Sequence, residues 1–552
     1  MELLETTIGA LLKEKVEQHP NRDAAIFHAD RVRYSWEELD VLSEKIAKAF
    51  LGLGVAHGTH VALWANNIPE WVFVQYALAR IGAVLVTINP EWKQEELAFA
   101  LRQSDADFLV MCPGFVKQSG TRVHHYDYIG MVKSLCPNVT EGACEAAFPR
   151  LKKIVLTPGA NERGMLDWQD FLAGGQGVSN RTLEEASRRV ATHDPVMIQY
   201  TSGTTGFPKG AVLSHYNVLN NARIAAGLQH LGPEDLICGP VPFYHCFGSI
   251  LLNLGSLVSG AAMVIPDHFF NSQATLKAVS EYGCTALFGV PTMFIGMLAL
   301  SDFEQYNLRT LRTGIMAGAP VDKELFEAVT EKMGAYEMTI AYGLTEASPV
   351  THQTCSTDPK EKRFATVGRP IEHTFAKIID PETKEELPDD QVGEVLVKGF
   401  HVMKGYYNNP EATAKTMHRG WLRTGDLAVR DAEGYYRIVG RLKEMIIVGG
   451  HNVYPAEVEQ SLHTLLEDEV ELLQIVGVPH AVLQEVTGLV VKLKPGRKLT
   501  LEEVKLRCEG KLEWPKIPRH LKILKDFEPY MTVTGKIQKF KLSELFASSL
   551  VI

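Results

Sequence analysis

The chain has 552 residues, 45% hydrophobic and 22% charged, with a formal net charge of −10 at pH 7. That length exceeds the roughly 250–300 residues at which a single core stops growing, so two or more domains are expected. The acidic balance argues against general attraction to nucleic acid or to anionic membranes. Eight cysteines without a C-x-x-C pair or clustered histidines argue against a disulfide framework or a structural zinc site, and a reducing, cytoplasmic setting is expected.

The first residues, MELLETTIGALLKEKVEQHP, carry acids before their apolar positions and read as an amphipathic helix, not as a basic-plus-apolar signal peptide. No apolar run reaches membrane-spanning length, and the closing SSLVI is not the SKL peroxisomal address. Residues 24–27 and 61–64 are strand-like, 68–82 helical and 83–86 strand-like. This βαβ rhythm predicts a parallel sheet flanked by helices. Residues 113–150, with His124 and His125, look irregular and are expected to form a surface excursion.

Tyr200 to His215, YTSGTTGFPKGAVLSH, follows the apolar run 195–198. Thr201, Ser202, Thr204 and Thr205 supply hydroxyls, Gly203, Gly206 and Gly210 let backbone N–H groups approach an anion, and Lys209 supplies a charge. The segment is built to hold phosphate. It is not the Walker A loop, because Gly203 and Gly206 are only three apart and Phe207-Pro208 separates Gly206 from Lys209.

The α/β rhythm then returns, with strands expected at 236–240, 262–265 and 286–290 and helices at 249–257 and 273–281, which suggests two sheets packed together. Beyond Phe364, short β-like runs at 376–379, 393–397 and 435–439 are separated by Gly/Pro/Asp turns and suggest a small β-rich subdomain. Past Gly440-Arg441 come a strand, the Gly449-Gly450 turn, an acidic helix and further alternation. The expected architecture is α/β: a large N-terminal domain of packed α/β sheets plus the β-rich subdomain (1–440), and a small α+β C-terminal domain (441–552). The basic stretches 492–505 and 511–525 read as solvated faces, since Trp514 is the only aromatic among them.

Five further segments occur in register with the phosphate loop: Pro242 to Gly248 (PFYHCFG), Ala341 to Glu346 (AYGLTE), Leu422 to Asp426 (LRTGD), Gly440 to Glu444 (GRLKE) and Thr532 to Lys539 (TVTGKIQK). As a set they resemble the acyl-adenylate-forming superfamily of acyl-CoA synthetases, peptide-synthetase adenylation domains and firefly-type luciferases, and the resemblance covers essentially the whole chain. Adenylation brings a carboxylate to the α-phosphate of ATP, so the site must neutralise phosphate charge and hold the reactants in line.

The resemblance implies roles for these residues. Thr201, Ser202, Gly203, Thr204, Thr205, Gly206 and Lys209 would cradle the β- and γ-phosphates, and Lys536 would reach the carboxylate and α-phosphate oxygens. Thr345 would hydrogen-bond the α-phosphate; Glu346, with Thr204, would hold Mg²⁺. Tyr342, with Gly343, would face the adenine, and Gly318, Ala319 and Pro320 would line its other side. Asp426 and Arg441 would bind the ribose hydroxyls. Lys443 stands where the family has its hinge residue, about which the small domain rotates between half-reactions to bring Gly449 and Gly450 to the acceptor's tunnel. His245 would sit at the mouth of the acyl pocket, and Cys246 beside it reads as packing.

Residues 243–249 contain no acid to pair with a substrate amino group, and a buried ammonium without a partner is costly, so amino acids are not the expected substrates. Phe243, Phe247, Gly289, Val290, Met293 and Phe294 suit an apolar acyl group of moderate size. The closest likeness is to medium-chain fatty acyl-CoA synthetases, with ATP, Mg²⁺ and coenzyme A as expected co-reactants. A ligase for an aromatic or alicyclic acid, an adenylating enzyme that does not use CoA, and a catalytically silent nucleotide-binding module stay open, as does the oligomeric state. One departure from the family pattern is Pro529, one place earlier than usual before Lys536.

Overall fold

The computed structural model describes residues 2–119, 122–141, 147–201, 208–531 and 537–546. It divides into two compact units, one of residues 1–375 and 397–422, the other of 376–396 and 423–552.

The first unit contains two sheets. In one, the strands run in the order Arg369–Pro370, Val350–Gln353, Glu337–Gly343, Thr313–Ala317, Ala286–Gly289, Leu236–Cys238, Ala262–Ile265, Asp23–Phe27 and Val32–Ser35. The interior pairs are parallel and antiparallel strands stand at both edges. The second sheet runs Gly405–Tyr406, Lys209–Ser214, Pro195–Thr201, Val84–Thr87, His60–Trp64, Phe108–Met111 and Lys153–Leu156. The central strands are near-continuous apolar runs, as expected for parallel strands covered on both faces.

Helix Pro69–Ile81 is buried on every side except at Glu70. Pro69 begins it, and Gly82 at φ +72° ends it in the left-handed conformation that glycine tolerates. Gln75 donates to Ser249 O at 3.1 Å and Tyr76 donates to Asn253 Oδ1 at 3.0 Å, tying this helix to the segment between two strands of the other sheet. Helix His215–Leu228 touches strands of both sheets. Its Asn221 exchanges hydrogen bonds with Val350 at 2.8 and 3.0 Å. The packed-sheet expectation is met.

The region 113–150 is more ordered than its sequence suggests. Gly114–Ser119 and Arg122–Asp127 pair as an antiparallel hairpin, followed by helix Tyr128–Leu135. Phe115 lies opposite Tyr126 with its ring stacked at 4.5 Å, and Tyr128 stacks on buried Trp64 at 3.4 Å. The cross-strand Phe115–Tyr126 pair braces the hairpin and Tyr128 on Trp64 anchors the region to the unit, contacts hidden among histidines and lysines in the sequence.

In the second unit, residues 376–379, 393–396, 423–430 and Tyr436–Arg441 form adjacent strands, as anticipated for the β-rich segment. A further sheet runs His451–Val453, Ile446–Val448, Gln484–Leu493 and Val470–His480, with His520–Leu524 parallel to Gln484–Leu493. Helix Pro455–Leu465 packs Val458 and Leu462 against Ile475 and Leu489. Helix Lys539–Glu544 packs Leu542 into a second cluster with Val476, Val478 and Phe527.

Candidate active site

Strands Pro195–Thr201 and Lys209–Ser214 are the antiparallel stem of the loop expected to hold phosphate, with Thr201 directly opposite Lys209. Thr201 Oγ1 donates to Lys209 O at 3.4 Å, and Tyr200 is braced by donation to Gln103 Oε1 at 2.7 Å. Ser202, Gly203, Thr204, Thr205 and Gly206 lie outside the described residues, as does Lys536.

Glu346 is held from two directions by one short segment. Met403 N donates to its backbone carbonyl at 2.8 Å and the Tyr406 phenol donates to Oε1 at 2.6 Å. The same tyrosine ring carries the Lys209 ammonium 4.8 Å from its centroid. Burial, then the Glu346 charge, raises the Tyr406 phenol well above the ordinary tyrosine range, so it stays a donor at neutral pH.

Thr345 and Glu346 occupy a one-turn helix directly after strand Glu337–Gly343. A Cβ on Gly343 would fall 1.8 Å from the Pro349 carbonyl oxygen, so this turn needs glycine there. Thr345 is buried with Oγ1 3.8 Å from Cys246 Sγ, and that sulfur lies 3.6 Å from His245 Nδ1. The Pro242 to Gly248 motif and the Thr-Glu turn therefore meet, although Cys246 and Thr345 are 99 residues apart.

His245 Nδ1 accepts from Phe247 N at 3.2 Å. Ser249 Oγ donates to His245 O at 3.1 Å and lies 2.6 Å from Gln199 Nε2, linking this turn to strand Pro195–Thr201. Residues Phe247–Leu254 form a π-helix, an uncommon element found often at functional sites. A Cβ on Gly248 would lie 2.2 Å from Pro242 O, so glycine is what permits the tight approach.

The residues expected on the acyl side divide by environment. The Phe247 ring lies 6.0 Å from that of Phe288, and Gly289 faces Phe294 and Met293. Phe294 is fully buried, while Val290 and Met293 are half-buried. Phe243 is fully buried and stacked on Trp71 at 5.3 Å, deep in the packing of the unit. Gly318, Ala319 and Pro320 form an exposed loop after strand Thr313–Ala317, with Gly318 at φ +87°. Half-buried Tyr342 has its ring 5.7 Å from that of His352, and Gly343 after it is exposed.

In the second unit, Asp426 and Arg441 are register partners on adjacent antiparallel strands. Arg441 Nε donates to the buried Asp426 carboxylate at 2.8 Å. Lys443 is exposed in the turn Leu442–Glu444. Gly449 and Gly450 turn the chain between strands Ile446–Val448 and His451–Val453 at φ +57° and +83°. A Cβ on Gly449 would approach Leu483 at 3.0 Å, whereas Gly450 faces open space.

Two contributors escaped the sequence reading. Tyr406 lies in an uncharged GYYNNP run with no chemical signature, and its contacts with Glu346 and Lys209 emerge only when strand Gly405–Tyr406 pairs with Lys209–Ser214. Asn67 clamps the loop at 241–243, donating to Val241 O at 2.9 Å and accepting from Phe243 N at 2.9 Å. Its Asn-Ile-Pro context reads only as the start of a helix.

Among the described residues, no group of three or more His, Cys, Asp or Glu could hold a metal. One carboxylate steadied at one oxygen suits a hard cation that arrives on ATP and keeps phosphate and water ligands, so the donor set fits Mg²⁺.

The AMP-binding enzyme family matches residues 12–407. The chain belongs to that family. It is 44% identical over 548 residues to YngI, a candidate acyl-CoA synthetase of Bacillus subtilis (strain 168), covering 98% of this chain and 97% of that protein. It is 36% identical over 551 residues to the mitochondrial medium-chain acyl-CoA ligase ACSF2 of Danio rerio, covering 98% and 88%. ATP-bound MatB from Rhodopseudomonas palustris superposes with a TM-score of 0.84 at 25% identity, over 98% of this chain and 99% of that one. The comparisons support a two-step, AMP-forming acid:CoA ligase that uses ATP, Mg²⁺ and CoA, the class expected from the sequence. No helix among the described residues is long and apolar enough to cross a membrane.

Proposed function

We propose that the chain activates medium-chain fatty acids, joining acid and ATP to give acyl-AMP and pyrophosphate, then passing the acyl group to the thiol of CoA with release of AMP. The observation that carries this reading is the meeting of the two motifs at Thr345 and Cys246, 3.8 Å apart, because attack on the α-phosphate requires the acid's entrance to adjoin a phosphate-binding turn. The apolar set of Phe247, Gly289, Val290, Met293 and Phe294 supports an aliphatic chain, as does whole-length similarity to medium-chain acyl-CoA ligases.

In this reading Thr201 to Gly206 and Lys209 hold the departing pyrophosphate, and Thr345 and Lys536 bind the α-phosphate. His245 orients the carboxylate, Tyr342 and Gly318 to Pro320 enclose the adenine, and Asp426 with Arg441 takes the ribose. Mg²⁺, held by Glu346 and Thr204, would neutralise phosphate charge as it develops. Residues 441–552 form the part that pivots at Lys443 after adenylation, and Gly449 and Gly450 then face the thiol. Free cysteines among the described residues and the acidic net charge of the sequence support a cytoplasmic location.

Profiling acyl-CoA and AMP formation across a carboxylic-acid library tests the proposal. Octanoate and its neighbours should be preferred; preference for benzoate or cyclohexanecarboxylate would move the substrate to the ring-acid class. Acid-dependent AMP release with CoA left unacylated would replace the function with that of a non-CoA adenylating enzyme.

A further inference from the structure

We infer that Tyr406 is a positioning residue that sets both the metal-binding carboxylate and the phosphate-binding lysine, an inference that rests on the adenylation reading above. Its phenol donates to Glu346 Oε1 at 2.6 Å. That bond occupies one carboxylate oxygen and fixes the rotamer that aims the other, so the ligand is arranged before metal and nucleotide arrive. Its ring simultaneously seats the Lys209 ammonium, 4.8 Å from the centroid, by a cation–π contact. One side chain thus sets the spacing between the carboxylate and the cation that share the polyphosphate.

The tyrosine is itself held by its surroundings. Strand Gly405–Tyr406 pairs antiparallel with Lys209–Ser214, with Tyr406 opposite Ala211 and Gly405 opposite Val212. Tyr406 N donates to Thr413 Oγ1 at 2.9 Å, and Thr413 Oγ1 donates to Asn409 O at 2.9 Å. Gly405 sits at φ +143° with Thr413 3.0 Å from where a Cβ would stand, so a side chain there would be both strained and crowded. Met403 N, three residues earlier, donates to the Glu346 carbonyl at 2.8 Å. The 403–406 segment therefore fixes Glu346 at its backbone and at its carboxylate, which packing alone would not require.

The test separates the two tasks of the ring. Tyr406→Phe keeps the cation–π seat and removes the hydroxyl, whereas Tyr406→Leu removes both. Mn²⁺ binding is followed by electron paramagnetic resonance in the presence of α,β-methylene-ATP, and metal-free binding of the same analogue is measured by calorimetry. Tyr406→Phe should weaken Mn²⁺ binding about tenfold and leave metal-free analogue binding unchanged, since a hydrogen bond to a charged group is lost and the lysine keeps its seat. Tyr406→Leu should weaken both. Wild-type Mn²⁺ affinity in Tyr406→Phe would overturn the inference.

A double-mutant cycle guards against a purely structural effect. In a Glu346→Gln background, Tyr406→Phe should cause no further loss of Mn²⁺ affinity; an independent, additive loss would overturn the inference. Absence of acid-dependent pyrophosphate exchange in the unaltered protein would instead defeat the adenylation reading, while the Mn²⁺ measurements would still report on Tyr406 and Glu346.

Discussion

Arg441 Nε lies 2.8 Å from Asp426 Oδ1, and the two residues face each other in register across adjacent antiparallel strands. The strand pairing sets the spacing and leaves the guanidinium half-exposed beside a buried carboxylate. An acceptor and a donor side by side is the arrangement that a ribose edge requires. Asp426→Ala should lower kcat/KM for ATP by about 10- to 100-fold, the equivalent of about 1.5–3 kcal/mol for a charged hydrogen bond. Initial-rate kinetics at varied ATP check this; an unchanged value would remove Asp426 from the nucleotide site.

Phe243 and Met293 should respond differently to substitution. Phe243 is fully buried against Trp71, so Phe243→Ala should cost about 3–5 kcal/mol of unfolding free energy. Half-buried Met293 lies beside Gly289, and Met293→Trp should shift preference toward shorter acids with little loss of stability. Denaturant unfolding alongside an acyl-chain series reads both; a chain-length shift without destabilisation in Phe243→Ala would place its ring on the substrate instead.

Lys443 is exposed in a single turn, where a substitution removes little packing. Lys443→Pro should leave acyl-AMP formation within about twofold of normal and suppress transfer to CoA, because a fixed φ restricts a pivot without touching the reactants. Equal loss of both half-reactions in single-turnover assays would contradict a hinge at this position.

Acid should destabilise the protein through buried neutral histidines. Burial lowers His215 to about 4 and His401 to about 3, both below the ordinary 6.5. His215 also faces Asp194, which opposes that shift, and His57, which adds to it, and its Nδ1 accepts from Ile8 N at 3.2 Å. Above pH 6.5 the histidines are neutral whether folded or unfolded, and stability is full. As pH falls below 6.5 the unfolded chain takes up protons that the folded one refuses, so stability declines until the folded values are reached. Each histidine adds a slope of at most about 1.4 kcal/mol per pH unit. His401→Leu should flatten the decline between pH 6.5 and 3 in denaturant titrations; an unchanged slope would contradict a neutral, buried His401.

Much of this fold was legible because its signals are local and periodic. The strand expected at 262–265 is found at those residues, and the helix expected at 68–82 is found as Pro69–Ile81, bounded by the proline and glycine that mark its ends. The hairpin at 114–127 was not legible, because its order comes from Phe115 against Tyr126 and from Tyr128 against Trp64, contacts that no spacing rule exposes. The site divides in the same way. Glu346, Thr345, Asp426 and Arg441 stand in recognisable motifs, whereas the contacts of Tyr406 with Glu346 and of Asn67 with Val241 join residues remote in sequence.

A two-step ligase forms its acyl-adenylate before CoA takes part. Isotope exchange between labelled pyrophosphate and ATP, measured with Mg²⁺ and octanoate but without CoA, tests it most directly. Exchange should depend on the acid and stop when the acid is omitted. Acyl-CoA formation with no exchange at any acid concentration would contradict a free two-step path through acyl-AMP.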